Sequence, residues 1–108
     1  MSLSTHVLDA ISGRPAAGVH VRLFEEVDGD WQATAEGHTD EDGRITRLGT
    51  PGTGVKRLWF DVGSYFDTVG VDAFYPEVTV AFRITDADAH HHVPLLLSPF
   101  AYSTYRGS

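Results

Sequence analysis

Hydrophobic and polar residues alternate with a period of two over most of the chain. Val78, Val80, Phe82 and Ile84 are interleaved with Glu77, Thr79, Arg83 and Thr85, with only Ala81 breaking the polar series. Such alternation puts one set of side chains on a buried face and the other in water, which describes a strand covering a core. Leu58, Phe60 and Val62 alternate with Arg57, Trp59 and Asp61 in the same way, as do Val19, Val21 and Leu23 with His20 and Arg22. Near the start, Leu3, Thr5 and Val7 share one face, and Ser4, His6 and Leu8 the other. Trp31 to Thr39 is a less regular strand built on Thr34 and small residues. Turn chemistry separates these runs: Ser12-Gly13-Arg14-Pro15, then Asp28-Gly29-Asp30 at hairpin length, then Asp40-Glu41-Asp42-Gly43, then a loop from Gly49 to Gly54. Tyr75-Pro76 opens the next strand, Asp86-Ala87-Asp88-Ala89 closes it, and Ser98-Pro99 separates the last apolar run from Tyr102-Ser103-Thr104-Tyr105. One short helix is predicted from Ser64 to Val71, with Ser64 as its cap, Asp67 in its first turn, and Phe66 and Val69 on one face. Seven or eight short strands with turns between them read as an all-β sandwich with one short helix.

At 108 residues the chain has the length of a single domain, spanning 1–108. It contains no Cys, which excludes a disulfide framework, a thiolate zinc site and a cysteine nucleophile. Eight basic against fifteen acidic residues leave a net charge of −7, which argues against a nucleic-acid partner. No apolar run, Leu95-Leu96-Leu97 included, approaches the length of a membrane span, so no membrane partner is expected. The start, Met1 to His6, shows neither a basic segment nor a long apolar one, and Arg106-Gly107-Ser108 is no peroxisomal tripeptide. A cytoplasmic protein is the expectation.

The biased run His90-His91-His92 is the first candidate for chemistry. On a strand, His90 and His92 point to one face and His91 to the other. Such a pair can bind a metal or act as acid and base, or simply form a polar strand end. His6 stands alone in an apolar strand, where a structural His is the plain reading. Arg44 follows a turn and, by itself, reads as a surface residue. His20 and His38 alternate outward to solvent. The acidic run Asp40-Glu41-Asp42 reads as a hydrated turn, because it lacks the twelve-residue spacing and terminal Glu of a calcium loop. No Gly-x-Ser-x-Gly elbow, Walker loop or dinucleotide fingerprint is present. The residues alone describe a β-sandwich with a His-rich strand.

Several segments together carry more. They are Leu3-Ser4-Thr5-His6-Val7-Leu8-Asp9, Gly13-Arg14-Pro15-Ala16, Thr39-Asp40-Glu41-Asp42-Gly43-Arg44, Tyr65-Phe66 and Phe74-Tyr75-Pro76-Glu77-Val78. The run from His90 to Pro99 and the ending Tyr102-Ser103-Thr104-Tyr105-Arg106-Gly107-Ser108 complete the set. On these, the chain resembles the transthyretin-related family and, within it, the 5-hydroxyisourate hydrolases of purine breakdown. The closing Tyr-Arg-Gly-Ser looks like the hydrolase ending, and the hormone-carrier relatives lack the His residues that match His6 and His92. Two positions depart from the pattern: His91 stands where the family usually has Tyr, and Ala101 where Gly is common.

The resemblance implies a transthyretin-like sandwich assembled as a homotetramer, two dimers meeting face to face around a channel with the sites near their interface. It implies 5-hydroxyisourate as substrate and 2-oxo-4-hydroxy-4-carboxy-5-ureidoimidazoline as product, with no cofactor. His6, Arg44, His92 and Ser108 carry over as catalytic residues, and His6, Arg44 and Tyr105 as substrate-binding ones. The chemistry suits them. Water is a poor nucleophile at neutral pH, and a neutral His, either His92 or His6, can activate it. Arg44 can stabilise the oxyanion that develops on the attacked ring carbonyl. Ser108, through its hydroxyl or a terminal carboxylate, can orient a His. Arg44 and Arg106 supply local positive charge against the net −7. Two other readings stand beside this one: a small-molecule carrier on the same sandwich, and a zinc site at His6, His90 and His92.

Overall fold

The computed structural model describes residues 2–108. The period-two segments form β1 (Ser2–Asp9), β3 (His20–Val27), β4 (Asp30–His38), β6 (Gly54–Phe60), β7 (Val78–Ile84), β8 (His90–Ser98) and β9 (Ala101–Thr104). Two further strands, β2 (Arg14–Pro15) and β5 (Arg44–Ile45), are only two residues long. One sheet runs β2-β1-β8-β9, with β5 also paired to β1, and the other runs β4-β3-β6-β7. Pairing is antiparallel except between β1 and β8, which lie parallel with Ser4 beside His92 and Ser2 beside His90.

The inward positions of both sheets close over one core. Leu3, Val7, Val21, Leu23, Leu58, Phe60, Leu95 and Leu97 are all essentially excluded from water. Each such side chain contributes about 1.5–3 kcal/mol of transfer free energy. The large apolar residues near the end of the chain divide accordingly. Leu95 and Leu97 belong to the core, whereas Phe100 and Tyr102 are exposed.

The helix begins earlier than its predicted position. Helix α1 spans Val62–Thr68 and is capped by Asp61, whose carboxylate accepts from the Ser64 backbone N–H at 3.2 Å and from the Ser64 hydroxyl at 2.8 Å. Ser64 is therefore inside the first turn, and Asp61 supplies the acceptor that the helix start requires. Val62 continues the apolar alternation of β6 but belongs to the helix, where it and Phe66, one turn apart, face the core. Val69, expected on the Phe66 face, is instead about half exposed.

Two turns set the geometry of the sheets. Asp28 and Gly29 both take positive φ, 52° and 86°, giving the tight hairpin between β3 and β4. Gly43 has φ 76°, and its carbonyl accepts from Val7 N–H at 2.7 Å; a Cβ there would collide with the Val7 carbonyl. Only glycine lets this turn approach β1 closely enough for β5 to pair with it.

Candidate active site

The outward face of β1 carries Ser2, Ser4 and His6, and that of β8 carries His90 and His92. Because the two strands are parallel, residues from opposite ends of the sequence stand side by side. Ser4 Oγ lies 2.7 Å from His92 Nδ1 and 3.0 Å from His90 Nε2, while Ser2 Oγ bonds His90 Nδ1. His91 faces the other way, is buried, and has Nδ1 3.1 Å from the Ala89 carbonyl.

Arg44 reaches this face through β5, which sets it opposite His6. The acidic turn before it is the device that holds it there. Asp40 Oδ1 accepts from the backbone N–H groups of Asp42 and Arg44, both at 2.9 Å, and Asp40 N–H donates to the Arg44 carbonyl at 2.9 Å. One Asp40 oxygen thus serves the chain's own amides in an Asx-type turn. Ser108 arrives from the far end. Gly107 bridges to His92, its N–H donating to the His92 carbonyl at 2.8 Å, and a Cβ at Gly107 would collide with the His92 ring.

These segments enclose a cleft of about 270 Å³ lined by Ser4, Thr5, Arg44, Ile45, Thr46, His90, His92 and Ser108. Among the described residues, no Asp or Glu side chain lines it. Arg44 gives the cleft a positive group on an acidic protein, suited to a polar, carbonyl-rich molecule. Burial lowers the pKa of His92, and the charges of Arg44, His6 and His90 push it down further. His92 is therefore neutral at pH 7, the state a general base needs.

The other expected site residues fall close by. His6 is half-buried beside Arg44 and acts on His92 through its charge, without lining the cleft. Tyr105 does not line it either. With Arg106, Tyr105 lines a neighbouring cleft of about 310 Å³ bounded by Val80, Phe82, His91 and His92. His92 is common to both clefts, and the tail straddles it, with Tyr105 and Arg106 on one side and Ser108 on the other.

The set His6, His90 and His92 is not assembled as a metal centre. Among the described residues, no group of three or more His, Cys, Asp or Glu side chains is placed to hold a metal ion. Both ring nitrogens of His90 face serine hydroxyls, and its ring stacks on His92 with centroids 6.5 Å apart. His20 and His38 lie on the other sheet, paired across β3 and β4, with their rings stacked at 4.7 Å. There His20 Nε2 meets Glu36 at 2.7 Å, a bond that holds the Glu36 carboxyl below its ordinary pKa.

Sequence reasoning did not single out Ser2, Ser4, Thr5, Ile45 and Thr46. The available signal was the shared face of Ser4 and His6 on β1. The partner of that face depends on a strand more than eighty positions away, so local pattern could not supply it.

A family model described as the HIUase/Transthyretin family matches residues 3–107. A relative from Salmonella dublin described as "5-hydroxyisourate hydrolase" is 47% identical over 109 residues, covering 98% of this chain and 80% of the relative. Among solved structures, that of Klebsiella pneumoniae 5-hydroxyisourate hydrolase superposes with a TM-score of 0.85 at 34% identity, covering 100% of both chains. Sea bream transthyretin in complex with thyroxine superposes with a TM-score of 0.91, also at 34% identity, covering 99% of this chain and 95% of that one.

Proposed function

The chain belongs to the HIUase/transthyretin family, and from that premise we infer that the His92 cleft hydrolyses 5-hydroxyisourate. The observation that carries this reading is the convergence of His92, Arg44 and Ser108 in one cleft, with a neutral imidazole facing a guanidinium. Relatives named for that activity match the chain over nearly its whole length.

The reaction opens a ring amide. His92 Nε2 takes a proton from water, and the resulting hydroxide attacks the ring carbonyl. Negative charge develops on the carbonyl oxygen, where Arg44 stabilises it by about 3–4 kcal/mol, the usual value for one such donor. The tetrahedral adduct collapses by breaking the C–N bond, and protonated His92 returns its proton to the leaving nitrogen. Arg44 holds the substrate in the cleft, His6 beside it acts on His92 through its charge, and Ser108 contributes a hydroxyl at the cleft wall. The product carries the new carboxyl and ureido groups of 2-oxo-4-hydroxy-4-carboxy-5-ureidoimidazoline.

A carrier role on the same sandwich is the second reading, since fold similarity does not separate the two. The transthyretin structure superposes slightly better than the hydrolase structure, at equal identity. Function lies in the site, and a cleft that sets a neutral His beside an Arg is organised for chemistry. The assembly we propose is a homotetramer. β7 and β9 each have a single paired neighbour, so each ends its sheet with an open edge. Phe100, Tyr102 and Tyr105 are exposed near that edge, and further copies of the chain would cover them.

Turnover decides between enzyme and carrier. Protein added at one-thousandth of the concentration of freshly made 5-hydroxyisourate consumes all of it if the cleft is catalytic. A carrier would remove at most one equivalent per site and leave the rest to decay at the spontaneous rate.

A further inference from the structure

Ser2, His90, Ser4 and His92 form one continuous chain of side-chain hydrogen bonds across the β1–β8 seam. It starts at half-buried His92 in the cleft and ends at His90 and Ser2, where His90 is exposed to solvent. The parallel register builds it by placing Ser2 beside His90 and Ser4 beside His92. From this geometry, and on the hydrolase reading above, we propose that Ser4 and His90 are positioning residues of a proton relay that carries a proton from His92 to solvent while the product still fills the cleft.

Proton bookkeeping supports it. Each hydroxyl has one proton to donate, and each neutral imidazole has one N–H and one acceptor nitrogen. The chain therefore has two self-consistent arrangements. In the first, His92 Nδ1–H donates to Ser4, Ser4 O–H to His90 Nε2, and His90 Nδ1–H to Ser2. This leaves the lone pair on His92 Nε2, the form required of a base. In the second, every donation is reversed, and His92 carries its proton on Nε2. Moving one proton along the chain converts the first into the second.

Hydrolysis needs such an exit. Of the two protons of the attacking water, one goes to the leaving nitrogen as the C–N bond breaks. The other stays with the new carboxyl group, which is ionised at neutral pH, and a ureido nitrogen is too weakly basic to take it. His92 Nε2 accepts this second proton. His92 Nδ1–H then passes to Ser4, Ser4 to His90, His90 to Ser2, and Ser2 to water. After product leaves, Nε2–H is lost to water in the open cleft as the chain takes one proton inward from Ser2, and the base form returns. No other reactant is required. The groups facing His92 are Arg44 from β5, His6 from β1, His90 from its own strand and Ser108 from the tail. The positive charge of Arg44 favours expulsion of a proton from His92.

Ser4→Ala and His90→Phe test the relay, with kcat and KM for 5-hydroxyisourate measured in a weakly interacting buffer and again with added imidazole. The expected result is a fall in kcat of about 10²-fold in each variant, KM within about twofold of wild type, and recovery of kcat as imidazole is raised. Wild-type kcat in either variant would overturn the proposal. A loss that imidazole does not restore would also overturn it, because that is the behaviour of a merely structural residue. If Ser4→Ala fails to fold, His90→Phe decides alone. Should wild-type protein itself leave 5-hydroxyisourate unchanged, the hydrolase reading has failed. An active wild type with unimpaired variants refutes only the relay.

Discussion

Replacing Arg44 with Ala should leave two separable marks on catalysis. Arg44 lines the cleft with His92, and its charge is one of the causes that lower the His92 pKa. As the donor to the developing oxyanion, its loss should reduce kcat by about 10²–10³-fold. The second mark is on the pH profile. A His with a lowered pKa is neutral above that value, so the wild-type rate falls only as pH drops to some point below the ordinary 6.5. Without Arg44 the His92 pKa rises, and the acid limb moves to higher pH. Burial, the largest cause of the shift, remains, so the limb should still lie below 6.5. Arg44→Lys should keep the wild-type limb, because it keeps the charge, yet lose much of the rate with the planar guanidinium. The backbone bonds that hold this turn do not involve the Arg44 side chain, and a substitution at this exposed position should change stability by about 0.5 kcal/mol or less. Steady-state rates from pH 5 to 8, with melting temperatures on the same samples, read all of these. An Arg44→Ala enzyme with near-wild-type kcat would remove Arg44 from the oxyanion role, and an acid limb moved to lower pH would contradict its charge effect on His92.

His92→Ala should lower kcat by about 10²–10⁴-fold with the fold retained, and a variant turning over at the wild-type rate would exclude His92 as the base. The folded protein binds a proton at His92 less readily than the unfolded chain, so the stability associated with His92 is complete above about 6.5 and is lost as pH falls from there toward the lowered folded value. Denaturant titrations of wild type and His92→Ala below pH 6.5 should therefore converge. Tyr65 donates to the buried Asp9 carboxylate at 2.9 Å, and burial with this bond raises the Tyr65 pKa to about 12. Tyr65→Phe should cost about 1–2 kcal/mol in chemical denaturation with turnover unchanged, since helix α1 lies outside the cleft. A chain ending at Thr104 should keep most of its melting temperature and lose nearly all turnover, because Tyr105, Arg106 and Ser108 contribute to the two clefts and not to the core. A parallel loss of stability and activity would instead make the tail a packing element.

The sandwich was legible because its strands alternate cleanly. Val21 and Leu23, Leu58 and Phe60, and Leu3 and Val7 all fall on the buried face that their spacing indicates. What was not legible is long-range pairing. Nothing local in Arg14–Pro15 or Arg44–Ile45 marks them as strands, because each exists only through its bonds to β1. The helix start was misplaced for a related reason: Asp61, Val62 and Ser64 fit both the alternation of β6 and the capped first turn, and packing of Val62 and Phe66 into the core favours the helix. At the site, the residues alone made His6 structural and Arg44 a surface group. Only the resemblance grouped them with His92 and Ser108. The resemblance in turn placed Tyr105 with Arg44, whereas the tail sends Tyr105 to the other side of His92. Neither route gave Ser4 a role, because that role depends on the parallel seam between β1 and β8.

Hydrolysis at the His92 cleft is tested by following the ultraviolet absorbance of freshly made 5-hydroxyisourate with and without a catalytic trace of the protein, and with the same amount of His92→Ala. Wild-type protein should collapse the absorbance many times faster than the spontaneous decay, and the His92→Ala trace should lie close to the protein-free one. Equal decay with and without wild-type protein would contradict hydrolysis by this chain, and a His92→Ala trace that overlays wild type would contradict hydrolysis by His92.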